Sequence, residues 1–70
     1  MEIKIAKGII RDTAEELIEN KKKRTSNVEE IETYSKNIMD FYNNFEDLMV
    51  SKNLTCEQCF IFVIDEMLSY

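Results

Sequence analysis

Cys56-Glu57-Gln58-Cys59 is the only stretch of the chain with intrinsic reactivity. Two thiols three residues apart at a helix start have a physical logic. The positive end of the helix dipole favours a thiolate, and the first cysteine can be reached from solvent. The usual setting is a strand leading into the helix of a thioredoxin-like sheet, and no strand–helix–strand pattern exists in this sequence. Structural zinc takes four ligands, whereas the chain offers two cysteines and no histidine. Four thiolates would require two chains to bring their motifs together. A zinc- or redox-dependent dimer through Cys56 and Cys59 is therefore one reading. The plainer one makes Cys59 a small core residue and Cys56 a half-buried residue of a first turn. No metal or cofactor is expected.

Two other groups of side chains could do chemistry. Asp40 and Asp47 lie two helical turns apart and could be imagined as an acid–base pair. Such work needs a concave pocket and perturbed pKa values, which short helices seldom enclose, and no histidine is available as a base. The expectation is a non-enzymatic protein whose carboxylates Glu29, Glu30, Glu32, Asp40 and Asp47 form an acidic, partner-binding face. The run Lys21-Lys22-Lys23-Arg24 could touch phosphates, or could close a helix by complementing the negative end of its dipole. A helix-turn-helix reader needs a recognition helix rich in Arg, Lys, Asn or Gln. Here the last third is too apolar and the middle third too acidic for that role.

Composition narrows the classes further. Net charge is −5 and unevenly placed: residues 1–24 hold seven basic and five acidic side chains, residues 25–70 two basic and nine acidic. Counterion release from duplex nucleic acid, or attraction to an anionic membrane, needs a basic surface. Neither nucleic acid nor membrane is the expected direct ligand, and no run of about 18 apolar residues could span a bilayer. Met1-Glu2-Ile3-Lys4-Ile5 lacks the basic-then-apolar pattern of a secretion signal. Two cysteines without such a signal fit a reducing compartment. A cytoplasmic location follows as the expectation, bacterial or in a phage-infected cell, since abundant Lys, Asn and Ile suit AT-rich genomes. Seventy residues make one domain, whose core supplies only about 3–5 kcal/mol.

The elements that must position these residues read as helices. There is no proline and one glycine, Gly8, so little interrupts a helix. Thr13-x-x-Glu16, Ser26-x-x-Glu29 and Thr55-x-x-Gln58 all have the form of capping boxes. Ile3, Ala6, Ile10, Ala14 and Leu17 follow a helical spacing, widened by Ile9 and Ile18. A helix over 3–22 is preferred to a strand over Glu2–Lys7 followed by a helix from Thr13, because a lone strand has no partner. Ile31, Tyr34, Ile38, Phe41, Phe45 and Leu48 form a 3-4-3-4-3 seam, which predicts one helix over 27–51. The third helix, over 56–69, contains six apolar residues in succession, Cys59 to Ile64. They cover every side of a helix, and two neighbouring helices cannot bury them all. Phe60, Ile61, Phe62 and Ile64 are thus expected to mediate self-association. The whole reads as an all-α, three-helix bundle with short loops, a single domain over 1–70, dimerising through its C-terminal helix.

Val28 to Phe45 superficially resembles the short helical-hairpin aspartyl-phosphate phosphatases of spore-forming bacteria, which carry a serine-glutamine-x-leucine-aspartate signature. The matching run is Ser35-Lys36-Asn37-Ile38-Met39-Asp40. Lys36 stands where the glutamine belongs and the aspartate falls one residue late, so the activity is not carried over. In size and charge the chain is similar to phage-encoded inhibitors such as anti-CRISPR proteins. The functional expectation is an acidic helical protein that binds and modulates a larger protein partner, in the anti-CRISPR-like form by inhibiting a nucleic-acid-handling enzyme. The alternative is a nucleic-acid-associated regulator whose basic end comprises Lys4, Lys7, Arg11 and Lys21, Lys22, Lys23 and Arg24.

Overall fold

Ala6, Ile10 and Ala14 recur at helical spacing and are fully buried, the stripe around which the first helix, α1 (Ile3–Arg24), forms. The computed structural model describes residues Met1–Tyr70. Helix begins at Ile3, not Thr13, so the strand over Glu2–Lys7 does not occur, and Gly8 is carried inside the helix. All four residues of the last turn are basic, Lys21 to Arg24, where a cation meets the negative end of the dipole.

Three further helices follow: α2 (Val28–Asn43), α3 (Phe45–Ser51) and α4 (Cys56–Ser69). The chain is 84% helix without strands, and no helix is long and apolar enough to cross a membrane. The all-α expectation holds, but the bundle has four helices in place of three. The expected single helix over 27–51 breaks at Asn44, which adopts φ −102° and ψ 9°. Hydrogen bonds bridge the break: the Asn44 N–H donates to the Asp40 carbonyl at 2.9 Å, and its carbonyl accepts from the Leu48 N–H at 2.9 Å. The result is a kink and not a loop. Adjacent asparagines weaken the helix locally, and Glu46 and Asp47 supply the acidic first turn of α3. Beyond the kink Phe45 is fully buried.

Of the three capping-box sequences, only one caps. The Gln58 N–H donates to Thr55 Oγ1 at 3.2 Å and the Thr55 N–H to Gln58 Oε1 at 3.0 Å, a reciprocal pair at the start of α4. Thr13 lies mid-helix and its hydroxyl donates to the Ile9 carbonyl at 2.9 Å. At α2 the cap is Asn27, whose side chain accepts from the Glu30 N–H at 3.1 Å. Asparagine is among the best N-caps, and it displaces the Ser26–Glu29 pairing. The end of α3 is a Schellman motif. Asn53 takes the left-handed conformation at φ 52°, its N–H bonds to the Val50 carbonyl, and the Leu54 N–H to that of Met49.

Side-chain pairs fix the helix directions. Lys7 stands over the Tyr42 ring and Lys21 pairs with Glu30, so α2 runs antiparallel to α1. The Met1 amine meets Glu57 at 3.1 Å and the Tyr70 ring lies 5.7 Å from that of Tyr34. Thus α4 runs parallel to α1 and antiparallel to α2. The core they enclose is Ala6, Ile10, Ala14, Ile38, Phe45, Cys59, Val63 and Met67. At 1.5 Å per residue α1 is about 33 Å long and α4 about 21 Å. The last turns of α1 therefore project past the end of α4 and pack on α2, near Tyr70.

Candidate interaction surfaces

The reactive pair is split by burial. Cys56 opens α4 half-buried, while Cys59 is fully buried and its Sγ donates to the Phe45 carbonyl at 3.6 Å. Burial, and then the neighbouring Cys56, push the Cys59 thiol above the usual range. Both thiols are free, and no cluster of three or more His, Cys, Asp or Glu side chains is present.

Carboxylates of the expected acidic face are all exposed, but they do not form one face. Glu29 and Asp40 lie along the outer ridge of α2, opposite Ile38, and Asp47 sits beyond the kink on α3. Glu32 is offset to one side of that ridge. Glu30 points the other way, toward α1, where Lys21 Nζ donates to it at 2.8 Å. That hydrogen bond, then the Lys21 charge, hold the Glu30 carboxyl below the usual carboxylate range.

The basic end is largely neutralised by carboxylates. Lys7 pairs with Glu46, Arg11 with Glu15, Lys21 with Glu30 and Lys22 with Glu19. Lys7 and Lys21 also stand over the Tyr42 and Tyr34 rings, at 5.0 and 5.3 Å from their centroids. Lys4, Lys23 and Arg24 have no carboxylate partner, and Lys4 is at the opposite end of α1 from the other two. Near Arg24, an open cleft of about 620 Å³ is lined by residues of α1, α2 and Tyr70. Within it Asn37 Nδ2 donates to the Tyr70 hydroxyl.

The six-residue apolar run divides across α4. Cys59 and Val63 point inward. Phe62, about 100° to one side of Val63, turns toward α3, where Lys52 Nζ lies 5.1 Å from its ring centroid. Phe60 and Ile64 fall on the opposite flank and are half-buried against the core. Ile61 lies further out on that flank. Among the four residues expected to self-associate, only Ile61 is exposed, and the other three are half-buried. Sequence reasoning missed its neighbour Leu68, one further heptad along the same flank.

The partner side of this groove is α1. Lys7 marks the flank of α1 that meets α2 and α3, so Ile5 and Ile9, on the other flank, adjoin α4. The Met1–Glu57 contact puts Ile5 and Ile61 at the same height, four residues on from each. Ile5, Ile9, Ile61 and Leu68 remain 53%, 41%, 61% and 64% exposed. Together they form one apolar face along the outside of the α1–α4 groove. Ile9 was visible in the sequence only as a widening of the stripe, and Ile5 only as an alternation suggesting a strand. Their adjacency to α4 depends on the parallel packing, for which no local signal exists. No protein-family model matches the chain, and no curated protein or solved structure is found to resemble it.

Proposed function

We propose that this chain is a non-enzymatic protein-binding module that docks on a larger protein and inhibits it by covering a surface. The observation that carries this reading is the apolar face of Ile5, Ile9, Ile61 and Leu68. Singly exposed apolar residues are ordinary, whereas several side by side on neighbouring helices mark a surface made to be covered. The net charge of −5 steers encounter with basic partners. Proteins that handle nucleic acid carry such surfaces, and an acidic module seated there would displace the substrate. This is the mode of action of a phage-encoded, anti-CRISPR-like inhibitor working in the cytoplasm. Pairing of two copies through α4 is a competing use of the same face.

The test is affinity capture with and without nuclease, comparing the native chain with an Ile61→Asp, Leu68→Asp variant of unchanged circular dichroism. The expected result is a stoichiometric protein captured by the native chain and lost from the variant. Recovery of nucleic acid alone, or equal capture by both chains, overturns the proposal. Sedimentation equilibrium of the native chain identifies a self-paired dimer.

A further inference from the structure

Resting on that reading, we infer that the α1–α4 face receives an amphipathic helix of the partner whose apolar stripe is flanked by lysine or arginine. Two observations on the groove select this occupant. The first is shape and spacing. Ile5 and Ile9 are separated by one helical turn, and Ile61, Ile64 and Leu68 repeat at three and four residues. Two parallel helices thus present apolar rows on either side of one groove, the geometry into which a third helix lays knobs at helical spacing.

The second observation is the charge of the rim. Glu2, Asp12 and Glu16 lie on the same flank of α1 as Ile5 and Ile9, all exposed. Glu57 and Asp65 border Ile61 on α4 and are also exposed. The cations Lys4, Lys7 and Arg11 occupy the other flank of α1. A second copy would bring one carboxylate rim against another, with no lysine or arginine beside the groove to answer it and the Met1 ammonium already engaged by Glu57. Like charges across an interface disfavour that pairing. An anionic lipid surface meets the same repulsion. A basic-flanked helix satisfies both the apolar rows and the rim.

The experiment uses two monomeric helical peptides with the same leucine stripe, one flanked by lysines and the other by glutamates. Binding to the full chain is followed by fluorescence anisotropy near physiological salt. The lysine peptide is expected to bind at least about tenfold more tightly. An Asp12→Lys, Glu16→Lys, Asp65→Lys variant should invert that preference, while Asp40→Lys with Asp47→Lys, away from the groove, should leave it in place. Ile61→Asp with Leu68→Asp should abolish binding of both peptides.

Equal affinity for the two peptides would leave the docking face standing and overturn the charge rule. A preference that follows Asp40 and Asp47 as strongly as the rim would reduce it to overall charge and also overturn it. If neither peptide binds while Ile61-dependent capture persists, the proposed function survives and the helical occupant fails. A native dimer that Ile61→Asp dissociates would give the face to a second copy and overturn the inference.

Discussion

The two flanks of α4 are built from one apolar run, yet Phe62 is covered and Ile61 is not. On the Phe62 side, α3 ends in a Schellman turn, and Lys52 at its C-cap brings its ammonium over the ring. The stem of a lysine covers apolar surface while its head stays in water. On the Ile61 side, the neighbouring flank of α1 offers Ile5 and Ile9, which are themselves exposed. Whether an apolar side chain becomes core or stays exposed is thus decided by what the adjacent element can lay over it. Hydrophobicity of the run alone does not distinguish the two.

The sharpest way to break this comparison is to place a charge on each side. Val63→Asp, inward, should unfold the chain, because a buried unpaired carboxylate costs several kcal/mol in a domain with about 3–5 to spare. Ile61→Asp should change stability by no more than about 0.5 kcal/mol. Urea melts followed by circular dichroism measure both, and equal losses would abolish the distinction between the inward and outward sides of α4.

A smaller effect sharpens the α1 side of the face. A methyl at Gly8 meets no atom within 4 Å, and helix-interior glycine costs about 0.5–1 kcal/mol relative to alanine. Gly8→Ala should raise the urea midpoint accordingly without altering docking; a lower midpoint would show that α1 is not a free-standing helical edge there. Lys52→Ala should cost about 0.5–1 kcal/mol, the value of an exposed cation–π contact, and leave the outer face of the Phe62 ring uncovered. An unchanged melt would mean that the Phe62 flank owes nothing to Lys52.

The smallest effect lies at the far end of α1. Lys21 holds the Glu30 carboxyl below its ordinary range, so Glu30 is more acidic folded than unfolded. Its contribution to stability is complete above the ordinary carboxylate pKa. That contribution is lost as pH falls through the lowered folded value, and at a solvated site it is slight. Carbon-detected titration should place Glu30 below the ordinary glutamate range, and in Lys21→Met it should move back up. A titration midpoint unmoved by that substitution would remove Lys21 as the cause.

Local signals made the helical class legible. The Ala6–Ile10–Ala14 stripe, the basic last turn of α1 and the Thr55–Gln58 box all appear where the spacing predicts. The other two box sequences misled because serine or threonine three residues before glutamate recurs easily in a glutamate-rich chain. Such a pattern caps only where the backbone actually leaves the helix. The kink at Asn44 had a signal in the paired asparagines and the acidic residues that follow, outweighed by a seam that runs through it. Part of the exposed apolar face was legible in the excess of apolar residues on α4. Its other half on α1 was not, because the two helices lie far apart in sequence and only their parallel packing joins them.

That separation has a consequence for the order of events during synthesis. The α1–α2 hairpin is assembled from nearby residues and can close early, whereas α1–α4 pairing spans most of the chain and pays its loop-closure entropy last. On the ribosome, the composite groove is absent until α4 has emerged. A nascent chain therefore cannot present this face prematurely, and any ligand seated across both helices would pull the final docking step toward completion by mass action.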